Sequence, residues 1–178
     1  MPSLKRWRLV GIITLTVLGF VLHYLFSWTN ESKLIGLFVP VNESVWEHLK
    51  LGYWSVVLFS IVEHFFVSRR VNNYYPAKTI GVLVLEMTII LQFYGYTFIA
   101  HKDIFLIDIF SYILAVILCQ YVAYTIFRLH PFSILVNRIS VAAFISIGVL
   151  LGVLTYYPPH LALFKDPHTG TYGIAKEK

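Results

Sequence analysis

Residues 104–127 read IFLIDIFSYILAVILCQYVAYTIF, an apolar run whose single charge is Asp108. A helix needs about 20 such residues to cross a hydrocarbon core, and a small water-soluble fold cannot hide a run this long on every face. Four further stretches read the same way, at about 9–28, 51–67, 79–100 and 139–157, the second continuing outward as a longer helix. Of 178 residues, 58% are hydrophobic and only 13% charged, where a soluble domain carries roughly a quarter. The chain therefore reads as all-α: one integral membrane domain, a polytopic bundle of five transmembrane spans. Span one follows Lys5, Arg6 and Arg8 and lacks a small-residue cleavage site, so it is expected to stay as the first helix. Pro158-Pro159 closes span five and leaves an ordered tail over 158–178.

Orientation follows from the basic residues. A cytoplasmic N-terminus gathers Lys5, Arg6, Arg8, Arg69, Arg70, Lys78, Arg128 and Arg138 inside, which includes every arginine. Six lysines fall outside, among them Lys165, Lys176 and Lys178 of the tail. The net charge of +5 sits in short runs beside the spans, not in a groove, which argues against nucleic acid and for a lipid bilayer as partner. The expected location is the cell membrane, multi-pass. Cys119, the one cysteine, lies within an apolar run, which excludes a disulfide framework. Gly148 and Gly152 form a GxxxG in span five, suited to close packing within the chain or to a homodimer; protein partners are otherwise unknown.

Polar residues concentrate on the predicted outer side, where His23, His48, His101, His160 and His168 meet Glu43, Glu47, Asp103, Asp108 and Asp166. Imidazole with carboxylate is the mixture that binds a divalent metal or runs acid–base chemistry. The densest block is Asn42–Lys50, NESVWEHLK. Ser44 followed by Glu47 is a capping-box pattern that starts a helix there. Glu43 and Glu47, at i and i+4, repel unless a positive group lies between them, with Lys50 or a metal ion as candidates. Asp108 sits about one turn inside span four and requires a partner, for which His23 is at similar depth. The expected metal ligands are Glu43, His48, His101 and Asp103, with zinc first among divalent ions. Glu47 and Asp108 are the catalytic candidates, and His160, Asp166 and His168 on the tail would act as a lid. Leu34–Val41 (LIGLFVPV) is too short to span and is expected in the interface or folded back between helices.

A second polar layer lies deeper: Glu63, His64, Glu86, Gln92 and Gln120. These residues either stagger along a substrate or ion path or tie helices together by hydrogen bonds, with Arg138 or His64 as candidate partners of Glu86. No HExxH, GxSxG or phosphate-cradling glycine loop is present, which disfavours zinc-protease and serine-esterase chemistry.

The block Pro40–Leu51 (PVNESVWEHLKL) with the tail Lys-Asp-Pro-x-Thr-Gly-x-Tyr-Gly over Lys165–Gly173 resembles a group of small multi-pass prokaryotic membrane proteins of unknown function. The resemblance covers nearly the whole chain and implies a bacterial or archaeal cell membrane. No activity comes with it. From the residues themselves the leading expectation is a polar, metal-binding outer site acting on a lipid or envelope substrate. The alternatives are a small ion- or proton-coupled transporter and a non-catalytic membrane subunit or assembly factor.

Overall fold

A computed structural model describes residues 3–174; Lys176 and Lys178, counted above with the tail, lie outside the described residues. Five long helices cross in alternating directions: α1 (Leu4–Trp28), α3 (Val45–Val67), α4 (Tyr74–Ala100), α5 (Phe105–Phe127) and α6 (Ile134–Tyr156). A short α2 (Lys33–Gly36) lies between the first two, and no strand occurs among the described residues. Each long helix, with α3 continued through Arg70, has 23–27 residues, about 35 Å or more at 1.5 Å per residue, enough for a hydrocarbon core of about 30 Å. Large apolar side chains line the outside: Phe98 is 82% and Ile134 73% exposed. Water would not tolerate that surface, and lipid does.

Four of the long helices, α1, α3, α4 and α6, begin before the apolar runs do. Ser44 and Ser133 cap α3 and α6 by accepting from the Glu47 and Val136 N–H groups, at 3.4 and 3.3 Å. The turn before α4 is set by Asn73, in the left-handed region at φ 55°. Its Oδ1 accepts from Phe132 N (2.7 Å) and its Nδ2 donates to His130 O (2.9 Å), tying together the two loops at that end.

Helices α1, α3, α4 and α5 form a ring in which each touches the next and α5 returns to α1; α6 packs outside, against α3 and α4. The ring's core is Leu15, Val56, Phe59, Val82, Leu85 and Val116. Cys119 is buried in this core. Gly148 of α6 abuts the Tyr53 ring and Gly152 abuts Leu37, so both close approaches are filled from within the chain. The alternation collects all the arginines at one end of the bundle. His23, His48, His101, His160 and His168 gather at the other, called here the histidine end.

The residues of the deeper polar layer separate. Glu63 pairs with Lys78, which also lies 5.5 Å from the Phe59, Tyr74 and Phe127 ring centroids. His64 packs edge-on against Tyr74, and the Gln120 amide packs against Gly11 of α1. Gln92 is half-buried on α4. Glu86 is buried, and its Oε1 has no hydrogen-bond partner among the described residues, so the pairing expected with Arg138 or His64 does not form.

Candidate metal centre

At the histidine end the ring of four helices opens into a cavity of about 220 Å³. Its polar wall carries His23 from α1, His48 from α3, Asp108 and Ser111 from α5, and Glu43 and Asp103 from loops. Its floor is Tyr112, whose hydroxyl lies 3.0 Å from Leu15 O and 3.4 Å from Ser55 Oγ. A β-carbon at Gly19 would collide with that hydroxyl, so glycine is what lets Tyr112 lie across the floor.

Three ligand-type side chains converge here, each offering one atom within 4.8 Å of the others: His23, Glu43 and His48. His48 Nε2 is 3.4 Å from Glu43 Oε2 and His23 Nε2 is 3.9 Å from Glu43 Oε1. The two imidazoles lie side by side, centroids 5.4 Å apart. Two donors on a tetrahedral ion with bonds of about 2.1 Å are about 3.4 Å apart, so the shorter distance already matches an ion's coordination edge.

Tautomer logic sharpens this. His48 Nδ1 lies 2.9 Å from Ser44 O, and a carbonyl oxygen only accepts, so Nδ1 carries the hydrogen. That fixes what Nε2 can present to Glu43: a second N–H, making an imidazolium, or a bare lone pair that faces a carboxylate and needs a cation between them. A ligating histidine held by its other nitrogen on a backbone carbonyl is the usual outer-shell arrangement of metal sites. His23 Nδ1 is buried without a partner among the described residues, a position commonly completed by water or an ion. The hydrogen bond from His48, then the charges of His48, His23 and His168, hold the Glu43 carboxyl below its ordinary range despite the opposing effect of burial.

The tail builds the roof. Asp166, buried, accepts from His168 N (2.7 Å) and Thr169 N (3.1 Å) through Oδ1, and from Glu43 N (3.3 Å) through Oδ2. Asn42 donates to Gly173 O at 2.8 Å, where the backbone turns at φ 62°. The 158–174 segment is thus fastened to the loop that carries Glu43. His168 lines the cavity and reaches Asp103 at 3.5 Å. His160 stacks on Tyr172 and stands outside the cavity lining.

The sequence candidates therefore divide. Glu43, His48, Asp103, Asp108 and His168 share the cavity; His101 does not, being the exposed left-handed residue that ends α4 at φ 54°. Glu47 turns the other way, with Oε2 taking Lys50 Nζ (2.6 Å) and Val41 N (3.0 Å) and Oε1 taking the Thr155 hydroxyl (2.8 Å). Lys50 is thereby committed to Glu47 and to the Gly36 and Val39 carbonyls (2.7 and 2.9 Å), holding the 34–41 segment folded back between helices. The hydrogen-bond partner of Asp108 is Tyr96, at 2.6 Å, and not His23. Sequence reasoning assigned His23 only a pairing role and overlooked Tyr96, Ser111 and Tyr112. Tyr96 was recoverable, because 96 and 108 are equidistant from the centre of the tight α4–α5 hairpin.

Five apolar crossing helices, four of them around a polar cavity at one end, define a multi-pass helical membrane protein. The chain belongs to a family of unknown function, DUF6512, matched over residues 1–174. Neither curated proteins nor solved structures yield a match.

Proposed function

We propose that His23, Glu43 and His48 hold a divalent cation, zinc first, and that this centre performs hydrolytic chemistry at the membrane surface. The observation that carries the reading is the His48 ring: Nδ1 locked on Ser44 O, Nε2 directed at Glu43, and the His23 ring alongside. Two imidazoles and a carboxylate are a borderline-soft donor set suited to zinc. Three protein ligands leave one coordination position open, the arrangement of catalytic rather than structural zinc sites. That open position would face the cavity, where an ion lowers the pKa of a bound water to about 7.

Asp108 lies on the same wall and interacts electrostatically with His48 and Glu43. One of its oxygens is held by Tyr96, and as a carboxylate of the cavity wall it would serve as the group that accepts and returns a proton there. Glu47, saturated by three partners, is left to the structure in this reading. The arginine distribution supports a histidine end that faces outward from a cell membrane.

Calorimetric titration of metal-stripped protein is expected to give one zinc per chain with Kd below about 1 μM, about −8.2 kcal/mol. His48→Ala and Glu43→Gln should each weaken it by about 100-fold or more. Uptake of no zinc, or equal uptake by the variants, would contradict the proposal.

A further inference from the structure

We infer that the cavity binds the linkage region of a membrane lipid without net negative charge, with one acyl chain leaving between α1 and α5. This rests on the metal-centre reading above and names its substrate class. Volume is the first argument. About 220 Å³ is less than the roughly 300–1,000 Å³ of sites that enclose a whole ligand, so part of the occupant stays outside. The lining says where that part goes. Phe20 and Tyr24 of α1 and Phe105 of α5 line the cavity and are also 41%, 49% and 66% exposed on the lipid-facing surface. Tyr112 closes the floor against Leu15 and Gly19, so a chain entering from the polar end turns sideways into the bilayer.

Two observations at the polar end specify the rest. Ser111 is buried, and its hydroxyl has no partner among the described residues. Helical hydroxyls normally bond back to the preceding turn, as Thr88, Thr97 and Thr125 do here. The Ser111 hydroxyl is free to donate to an ester or amide oxygen of an occupant. The lining also carries three carboxylates and three histidines but neither lysine nor arginine. An anionic headgroup would meet the three carboxylates of Asp103, Asp108 and Glu43 against a single divalent ion and no lysine or arginine, so the site discriminates against it.

The test reconstitutes the full chain in phosphatidylethanolamine vesicles doped with a phosphatidylcholine probe bearing a diazirine near the carboxyl end of one chain. Adducts are then mapped by peptide mass spectrometry. Labelling at Phe20, Phe105 and Ile109 should exceed that at the annular residues Phe98 and Leu135 by about tenfold, equivalent to about 1.4 kcal/mol of preference. Ile109→Trp, which fills the cavity, should abolish the excess while zinc stays at one per chain; Ser111→Leu is a second filling variant should the first not fold. A phosphatidylglycerol probe should label the cavity residues less. Equal labelling of cavity and annulus, or an excess that survives both filling variants, overturns the lipid site. Equal or stronger labelling by the anionic probe overturns its charge preference. Zinc without enriched labelling defeats the lipid site alone, and enriched labelling without zinc defeats the metal centre alone.

Discussion

Glu43 and Glu47 stand four residues apart at the start of one helix, and their surroundings differ completely. Around Glu47 the chemistry is finished: Lys50, Thr155 and the Val41 N–H occupy its oxygens, and Lys50 spends its remaining donors on two carbonyls. Around Glu43 it is unfinished. The Glu43 side chain is 47% exposed, two imidazoles face it, and one of their nitrogens is buried without a partner. A saturated buried ion pair contributes local order and leaves nothing to bind with. An unsaturated cluster beside a cavity retains ligand capacity.

The contrast can be broken from either side. The largest effect is expected from Lys50→Ala, which strands the Glu47 carboxylate in the interior and should cost about 3–5 kcal/mol of stability, read by denaturant unfolding in detergent. Zinc uptake by the fraction that remains folded should be unchanged. His48→Ala should do the reverse, losing the metal while unfolding of the metal-free protein shifts by about 1 kcal/mol or less. A smaller effect is expected from Asp166→Asn, which loosens the tail's hold on the Glu43 backbone and should weaken zinc binding about tenfold, as outer-shell changes do.

The smallest effect is on pH dependence. The Glu43 carboxyl titrates lower when folded than when unfolded. Its stabilising effect is therefore complete above the ordinary carboxyl pKa of about 4.3 and is lost as pH falls through the lower folded value. In metal-free protein, Glu43→Gln should flatten the acid-side decline of the unfolding midpoint, and an unchanged decline would argue against the His48–Glu43 bond.

The spans were legible because hydropathy is additive along a helix, and Ser44 announced the start of α3 through its side chain. The earlier starts of α4 and α6, at Tyr74 and Ile134, were not visible in apolar runs, because α4 begins with an aromatic and polar turn and Asn137-Arg138 interrupt the apolar start of α6. At the site, Glu43, His48, Asp103 and Asp108 stood out as polar residues at one depth. The convergence of His23 on Glu43 was not legible: Glu43 stands on a loop before α3 whose backbone is held by Asp166 of the distant tail, which no spacing encodes. Nor could the opposite fates of Glu43 and Glu47 be read, since the i, i+4 spacing brings them to one helix face while Ser44 starts the helix between them.

The account turns on whether His23, His48 and Glu43 meet at one ion. X-ray absorption at the zinc edge of the loaded protein measures this most directly. The expected spectrum has two imidazole nitrogens and oxygen donors at about 2.0–2.1 Å, losing one imidazole in His23→Ala. A spectrum with oxygen ligands alone, or one unchanged in that variant, would contradict the account.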